Sequence, residues 1–231
     1  MNDPTTPRAE ESTRPRNLAG LPGLILILSL FAVASTVLTW RLPAAGDIST
    51  TLKASVYGAV FAFEWILAGY VVWQLRRLSL RVGNVINMPS TPKRWLVDIL
   101  IACGFWVLLI ALEGVFVWLL RPGQERYLIL VPGNRIETGL WIVLSMAAGF
   151  CEELVFRGYL QRILESSWNA GLAIALQAVI FGLVHWYQGF KNVALIVVLG
   201  LMLGLLARWR GSLWPGMLAH MWVDIAGVLL R

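Results

Sequence analysis

Residues 96–120 read LVDILIACGFWVLLIALEGVFVWLL: twenty-five positions with only Asp98 and Glu113 charged and no proline. At about 1.5 Å rise per residue, roughly 20 apolar residues span the hydrocarbon of a bilayer as a helix. This stretch is long enough to do so. Six more apolar runs surround it, at 19–40, 54–75, 138–157, 170–187, 192–208 and 213–230. The expected fold is therefore all-α, a polytopic transmembrane helix bundle of about seven spans. Composition agrees: of 231 residues, 58% are hydrophobic and 14% charged, and the mean hydropathy is +0.71. A soluble domain carries about 25% charged residues, so a soluble enzyme, a disordered chain and a disulfide-stapled secreted module are all excluded.

Three segments follow from this reading: a disordered tail at 1–18 rich in Pro and charge, N-terminal transmembrane helices and loops at 19–137, and a helical core at 138–231. The run at 19–40 reads as an uncleaved first span. Residues 84–92 and 121–137 read as loops, each carrying proline. With the N-terminus placed inside, twelve Lys and Arg fall on the inner side and seven on the outer, so the positive-inside rule predicts a multi-pass protein of the cell membrane with a cytoplasmic N-terminus. The net charge of +6 then reflects basic loops, and nucleic acid is not an expected partner. Cys103 and Cys151 read as buried small hydrophobes. No internal repeat supports a transporter of inverted halves.

Charged side chains inside such spans are costly and usually face the bundle interior. Glu64, Glu113, Glu152, Glu153, Arg157, His185, His220 and Asp224 all lie in apolar runs. Glu153 and Arg157 are four apart, the spacing of an ion pair. Glu152 points about 100° away and lacks that partner. It is either a general base in an apolar site or part of a polar cluster fixing helix packing. Phe181 and His185 share a helix face, and so do His220 and Asp224. An Asp at that spacing can orient a His, ligate a metal with it, or form a buried packing pair. Gly200 and Gly204 supply close packing in the sixth span. Glu64 and Glu113 either face the same cavity or make structural polar contacts. Taken together, a carboxylate base and two imidazoles can activate water and stabilise an oxyanion. No G-x-S-x-G, H-E-x-x-H, Walker A or G-x-G-x-x-G sequence is present.

Read as Glu152-Glu153-x-x-x-Arg157, Phe181-x-x-x-His185 and His220-x-x-x-Asp224, these residues resemble the CPBP family of intramembrane proteases, which includes the CAAX prenyl endopeptidases and the bacteriocin-processing and Abi proteins. The resemblance covers about residues 140–227. It implies an intramembrane endopeptidase acting on a membrane protein or lipidated peptide. Glu152 would activate water aided by His185, His220 and Asp224 would stabilise the oxyanion or bind metal, and Glu153, Arg157 and Phe181 would be supporting. Asp224 stands where the prenyl endopeptidases have Asn. Asn can donate to an oxyanion and an ionised Asp cannot, so Asp224 would act protonated, orient His220 or ligate metal. Glu152, His185, His220 and Asp224 form the donor set for an alternative zinc chemistry; with Glu153 committed to Arg157, the reading without obligatory metal leaves Glu152 free as base. The other class of function on the same fold is a non-enzymatic scaffold or bacteriocin-immunity protein.

One difficulty accompanies these boundaries. With the fourth span ending at 157, Glu152 falls near its inner end, His185 near the outer end of the fifth span, and His220 near mid-membrane. The motifs would not meet without a shift of a turn or two.

Overall fold

The computed structural model describes residues 18–43, 48–120 and 126–229. Every element among them is helical. In order these are α1 (Leu21–Arg41), α2 (Thr50–Arg77), α3 (Val82–Ile86), α4 (Pro92–Leu120), a 3₁₀ turn (Arg126–Leu130), α5 (Arg135–Glu153), a π-helical segment (Leu154–Gln161), α6 (Arg162–Glu165), α7 (Ala170–Val184), a second 3₁₀ turn (Trp186–Gln188), α8 (Phe190–Arg210) and α9 (Trp214–Leu229). The expected tail at 1–18 lies outside the described residues except for Leu18, which packs against the core.

Each of the seven apolar runs forms a helix, but among the described residues five, not seven, are long and apolar enough to cross a membrane: α1, α2, α4, the continuous rod 135–165, and α8. Helix α7 has only 15 residues and α9 only 16. Large apolar side chains face outward on these helices, among them Leu30, Leu100, Val107 and Leu119. Only lipid makes such a surface favourable, and the protein is an integral membrane protein. Cys103 is exposed on this outer surface, contrary to expectation, whereas Cys151 is buried.

Caps fix the helix starts. Asn134 accepts from the amides of Ile136 and Glu137, and Asn169 from that of Leu172, satisfying donors that a helix end leaves free. The loop before α5 is tied down by a second buried ion pair. Lys53 Nζ reaches Glu137 at 3.0 Å and the carbonyl of Val131 at 2.9 Å, and Thr50 donates to Glu137 at 2.6 Å. Helix α5 consequently begins at 135, inside the expected loop 121–137.

The fourth apolar run does not stop at 157. It continues through the π segment to Glu165, with all eight π-helical residues buried. The expected span ended at Arg157, with Arg157 and Arg162 counted among the inner-side charges. In the fold, Arg157 and Gln161 are packed inside, and Arg162 donates to the carbonyl of Val85. This correction removes the topological difficulty. Glu152 precedes the end of α6 by thirteen residues and His185 follows the start of α7 by fifteen, so each lies roughly 20 Å from the intervening turn. The two are level, about halfway along the rod.

Helix α9 runs antiparallel to α5, at a separation set by glycine. A Cβ on Gly149 would lie 2.5 Å from Met221 Cγ and 2.8 Å from its backbone nitrogen. One core cluster joins Leu24, Leu67 and Val71 of the N-terminal helices to Phe156, Tyr159 and Met217. Gly149→Ala is expected to cost about 1–3 kcal/mol through overpacking. Gly104→Ala, with nothing within 4 Å, should be neutral or stabilising by up to about 1 kcal/mol. Thermal unfolding of the two variants in detergent checks the contrast.

Candidate active site

The three motif segments converge where α5, the end of α7 and α9 meet. Glu152 stands at the last turn of α5, before the ladder loosens from i→i+4 to i→i+5 bonding. Such π segments often occur at functional sites. Its carboxylate presents one oxygen to each imidazole: Oε1 lies 3.8 Å from His185 Nε2, and Oε2 lies 3.6 Å from His220 Nε2. Neither distance is a hydrogen bond.

The remaining imidazole nitrogens fix what faces Glu152. His185 Nδ1 is 2.8 Å from the carbonyl of Phe181. A carbonyl only accepts, so Nδ1 carries a proton and, in the neutral ring, Nε2 presents a lone pair. His220 Nδ1 is 3.0 Å from Glu153 Oε1, which assigns its Nδ1 proton in the same way. The His185 Nε2 lone pair therefore faces the Glu152 carboxylate acceptor to acceptor, and a water molecule, which donates two hydrogens, has the chemistry to mediate between them. His220, whose Nδ1 proton is held by Glu153, has room for a second proton on Nε2.

The carboxylate that orients His220 is Glu153, not the Asp224 suggested by the i,i+4 spacing. Asp224 Oδ2 is 3.9 Å from His220 Nε2, and its side chain is one-third exposed. The backbone carbonyl of Asp224 accepts from the Trp141 indole at 3.1 Å. Glu153 Oε1 also takes Arg157 Nη1 at 2.7 Å, with both side chains almost completely buried. Arg157 Nη2 reaches the carbonyl of Gly200 on α8 at 3.3 Å. Its guanidinium sits 4.5 Å from the centre of the Phe181 ring, a cation–π contact. Phe181 stands edge-on to His185 at 5.0 Å and to His220 at 5.9 Å. It is an apolar wall in contact with Arg157 and with both imidazoles.

A cavity of about 280 Å³ opens on this wall, lined by His185, His220, Asp224, Glu113, Trp141 and Tyr187 among others. It can hold several waters at about 30 Å³ each. Glu113 thus faces the site from α4. Glu64, on α2, comes within hydrogen-bonding reach of the Glu152 carboxyl. A signal for Glu64 was present in sequence: Tyr57, Glu64, Ala68, Val71 and Leu75 lie among the buried residues of α2 and follow one another at seven-, four-, three- and four-residue steps, which return to one helix face. The donors considered for zinc stand near one another, with Glu152 3.8 and 3.6 Å from the two Nε2 atoms and Asp224 3.9 Å from that of His220, while among the described residues no group of three or more His, Cys, Asp or Glu is spaced to hold an ion.

Removing one partner of a buried ion pair leaves the other uncompensated. Arg157→Met is expected to lower stability by about 3–5 kcal/mol. Glu152→Gln leaves that pair intact and should unfold at or above the wild-type temperature. Melting curves of the purified variants in detergent distinguish the two.

No curated protein and no solved structure matches the chain. Residues 134–226 match a protein-family model described as type II CAAX prenyl endopeptidase Rce1-like. The matched stretch runs from the cap of α5 into α9 and contains Glu152, Glu153, Arg157, His185, His220 and Asp224, and in it the chain carries an Rce1-like domain.

Proposed function

We propose that the protein is an intramembrane endopeptidase that hydrolyses a peptide bond of a membrane-associated or lipidated protein, with Glu152 as the water-activating base. The observation that carries this reading is the single carboxylate facing two imidazole Nε2 atoms, at 3.8 and 3.6 Å, beside a cavity at mid-rod. A water placed between Glu152 and His185 donates one hydrogen to the carboxylate and the other to His185 Nε2. As its oxygen attacks the peptide carbonyl carbon, Glu152 takes the proton. The C=O π electrons move onto oxygen. His220, with a proton on each nitrogen, donates from Nε2 to that oxyanion, while Glu153 holds Nδ1. Collapse of the tetrahedral intermediate breaks the C–N bond, and Glu152 returns its proton to the departing amine. Asp224 stands beside His220 Nε2 and flanks the oxyanion side.

The arrangement assigns distinct losses. Glu152→Gln keeps size and hydrogen bonding but cannot accept a proton, and should reduce cleavage to background. His185→Ala should lower the rate by about 10²–10⁴-fold, the usual contribution of a general acid–base partner. Purified protein assayed on prenylated peptides and on a panel of membrane-protein substrates, with and without a strong chelator, provides the test. Cleavage that depends on Glu152 and survives the chelator is expected. Full activity of Glu152→Gln would refute the assignment, and loss on chelation would replace the glutamate mechanism by a metal-dependent one.

A further inference from the structure

Glu64 is a buried carboxyl that the reaction above leaves unused. It is 4% exposed, and the turn of α2 that carries it is anchored on both sides. The preceding Phe63 stacks on Phe31, with ring centres 4.1 Å apart and planes at 12°. The following Trp65 stacks on Phe150, two residues before Glu152, at 5.9 Å. These contacts hold Glu64 level with Glu152, and the two carboxyls come within hydrogen-bonding reach. The other oxygen, Glu64 Oε2, is buried with no protein hydrogen bond.

No cation compensates this carboxyl among the described residues. Arg157 is committed to Glu153 and the Gly200 carbonyl. Lys53, three turns earlier on α2, is committed to Glu137 and the Val131 carbonyl. Two ionised carboxylates are both acceptors and repel in apolar surroundings, so a contact between them requires a proton between the oxygens. The proton has two possible owners. On Glu152 it would block the group that faces the imidazoles. On Glu64, which faces neither His, it turns an acceptor into a donor aimed at Glu152.

We propose that Glu64 is a positioning residue that keeps the shared proton and donates it as a hydrogen bond to Glu152, holding that carboxylate in line with His185 and His220. The inference rests on the reading of Glu152 as the base. Glu64 does not line the cavity beside the imidazoles. It restricts rotation of the Glu152 carboxylate, which otherwise has no hydrogen bond to either imidazole, and offsets part of its charge without neutralising it.

Two measurements on the full purified chain in detergent test this. The first is infrared difference spectroscopy of the carboxylic C=O stretch, which needs no turnover. The band of a protonated acid should disappear in Glu64→Gln and persist in Glu152→Gln. A band that survives unchanged in Glu64→Gln, or vanishes in Glu152→Gln, overturns the proposal. The second is steady-state cleavage. Glu64→Gln retains a donor and should stay within about threefold of wild-type kcat, whereas Glu64→Leu should lose about tenfold or more in kcat with KM unchanged, the loss of roughly one hydrogen bond. Glu64→Gln as inactive as Glu64→Leu would mean that a carboxylate is needed there, and full activity of Glu64→Leu would mean packing only; either overturns the role. Should Glu64→Leu fail to fold, the isosteric Gln variant and the infrared pattern decide. If the wild type cleaves nothing, the hydrolase reading fails, and the infrared band alone decides which carboxyl holds the proton.

Discussion

One oxygen atom carries much of this architecture. Glu153 Oε1 accepts from Arg157 within its own rod and from His220 on α9. Arg157 in turn reaches across to α8 through the carbonyl of Gly200. Three helices are thereby tied at one depth. The charges are out of reach of water, so their desolvation must be offset by short, well-directed contacts. The cost also makes the arrangement specific: any slip of α9 along α5 separates His220 from its acceptor and leaves a charge alone in the interior. The orientation of an imidazole beside Glu152 and the packing of the bundle are one constraint.

The glycines of α8 serve that constraint in a way their spacing only half discloses. Gly200 and Gly204 let α8 approach closely: a Cβ on Gly200 would lie 3.1 Å from Ala178, and one on Gly204 2.7 Å from the Gln177 amide. The absence of side chains also bares their carbonyls. Gly200 O accepts from both Arg157 and Gln177, and Gly204 O from Gln161. Polar side chains of the rod and of α7 are satisfied by backbone groups on a neighbouring helix.

That explains where the sequence was legible and where it was not. The apolar runs revealed the helices, and the four-residue spacings revealed the Glu153–Arg157 pair and grouped the residues that meet at Glu152. The end of the rod was misplaced at Arg157 because the polar residues there and beyond also bond main-chain carbonyls of α8 and α3, which no side-chain pattern encodes. For His220, spacing within α9 offered Asp224, whereas the closer carboxylate, Glu153, belongs to another helix. Glu64 lay in phase with the buried stripe of α2, yet nothing in that stripe names what it faces.

The brevity of α7 has a consequence for the helix packed beside it. Fifteen residues rise only about 22 Å, short of the roughly 30 Å hydrocarbon layer. The chain reverses there through the 3₁₀ turn Trp186–Gln188 and Gly189, at φ 87°. Irregular backbone persists in a membrane only against protein or water. Here it is held by protein: the turn closes its own hydrogen bonds and packs against α1, so the first helix of the chain covers the end of the helix that carries His185.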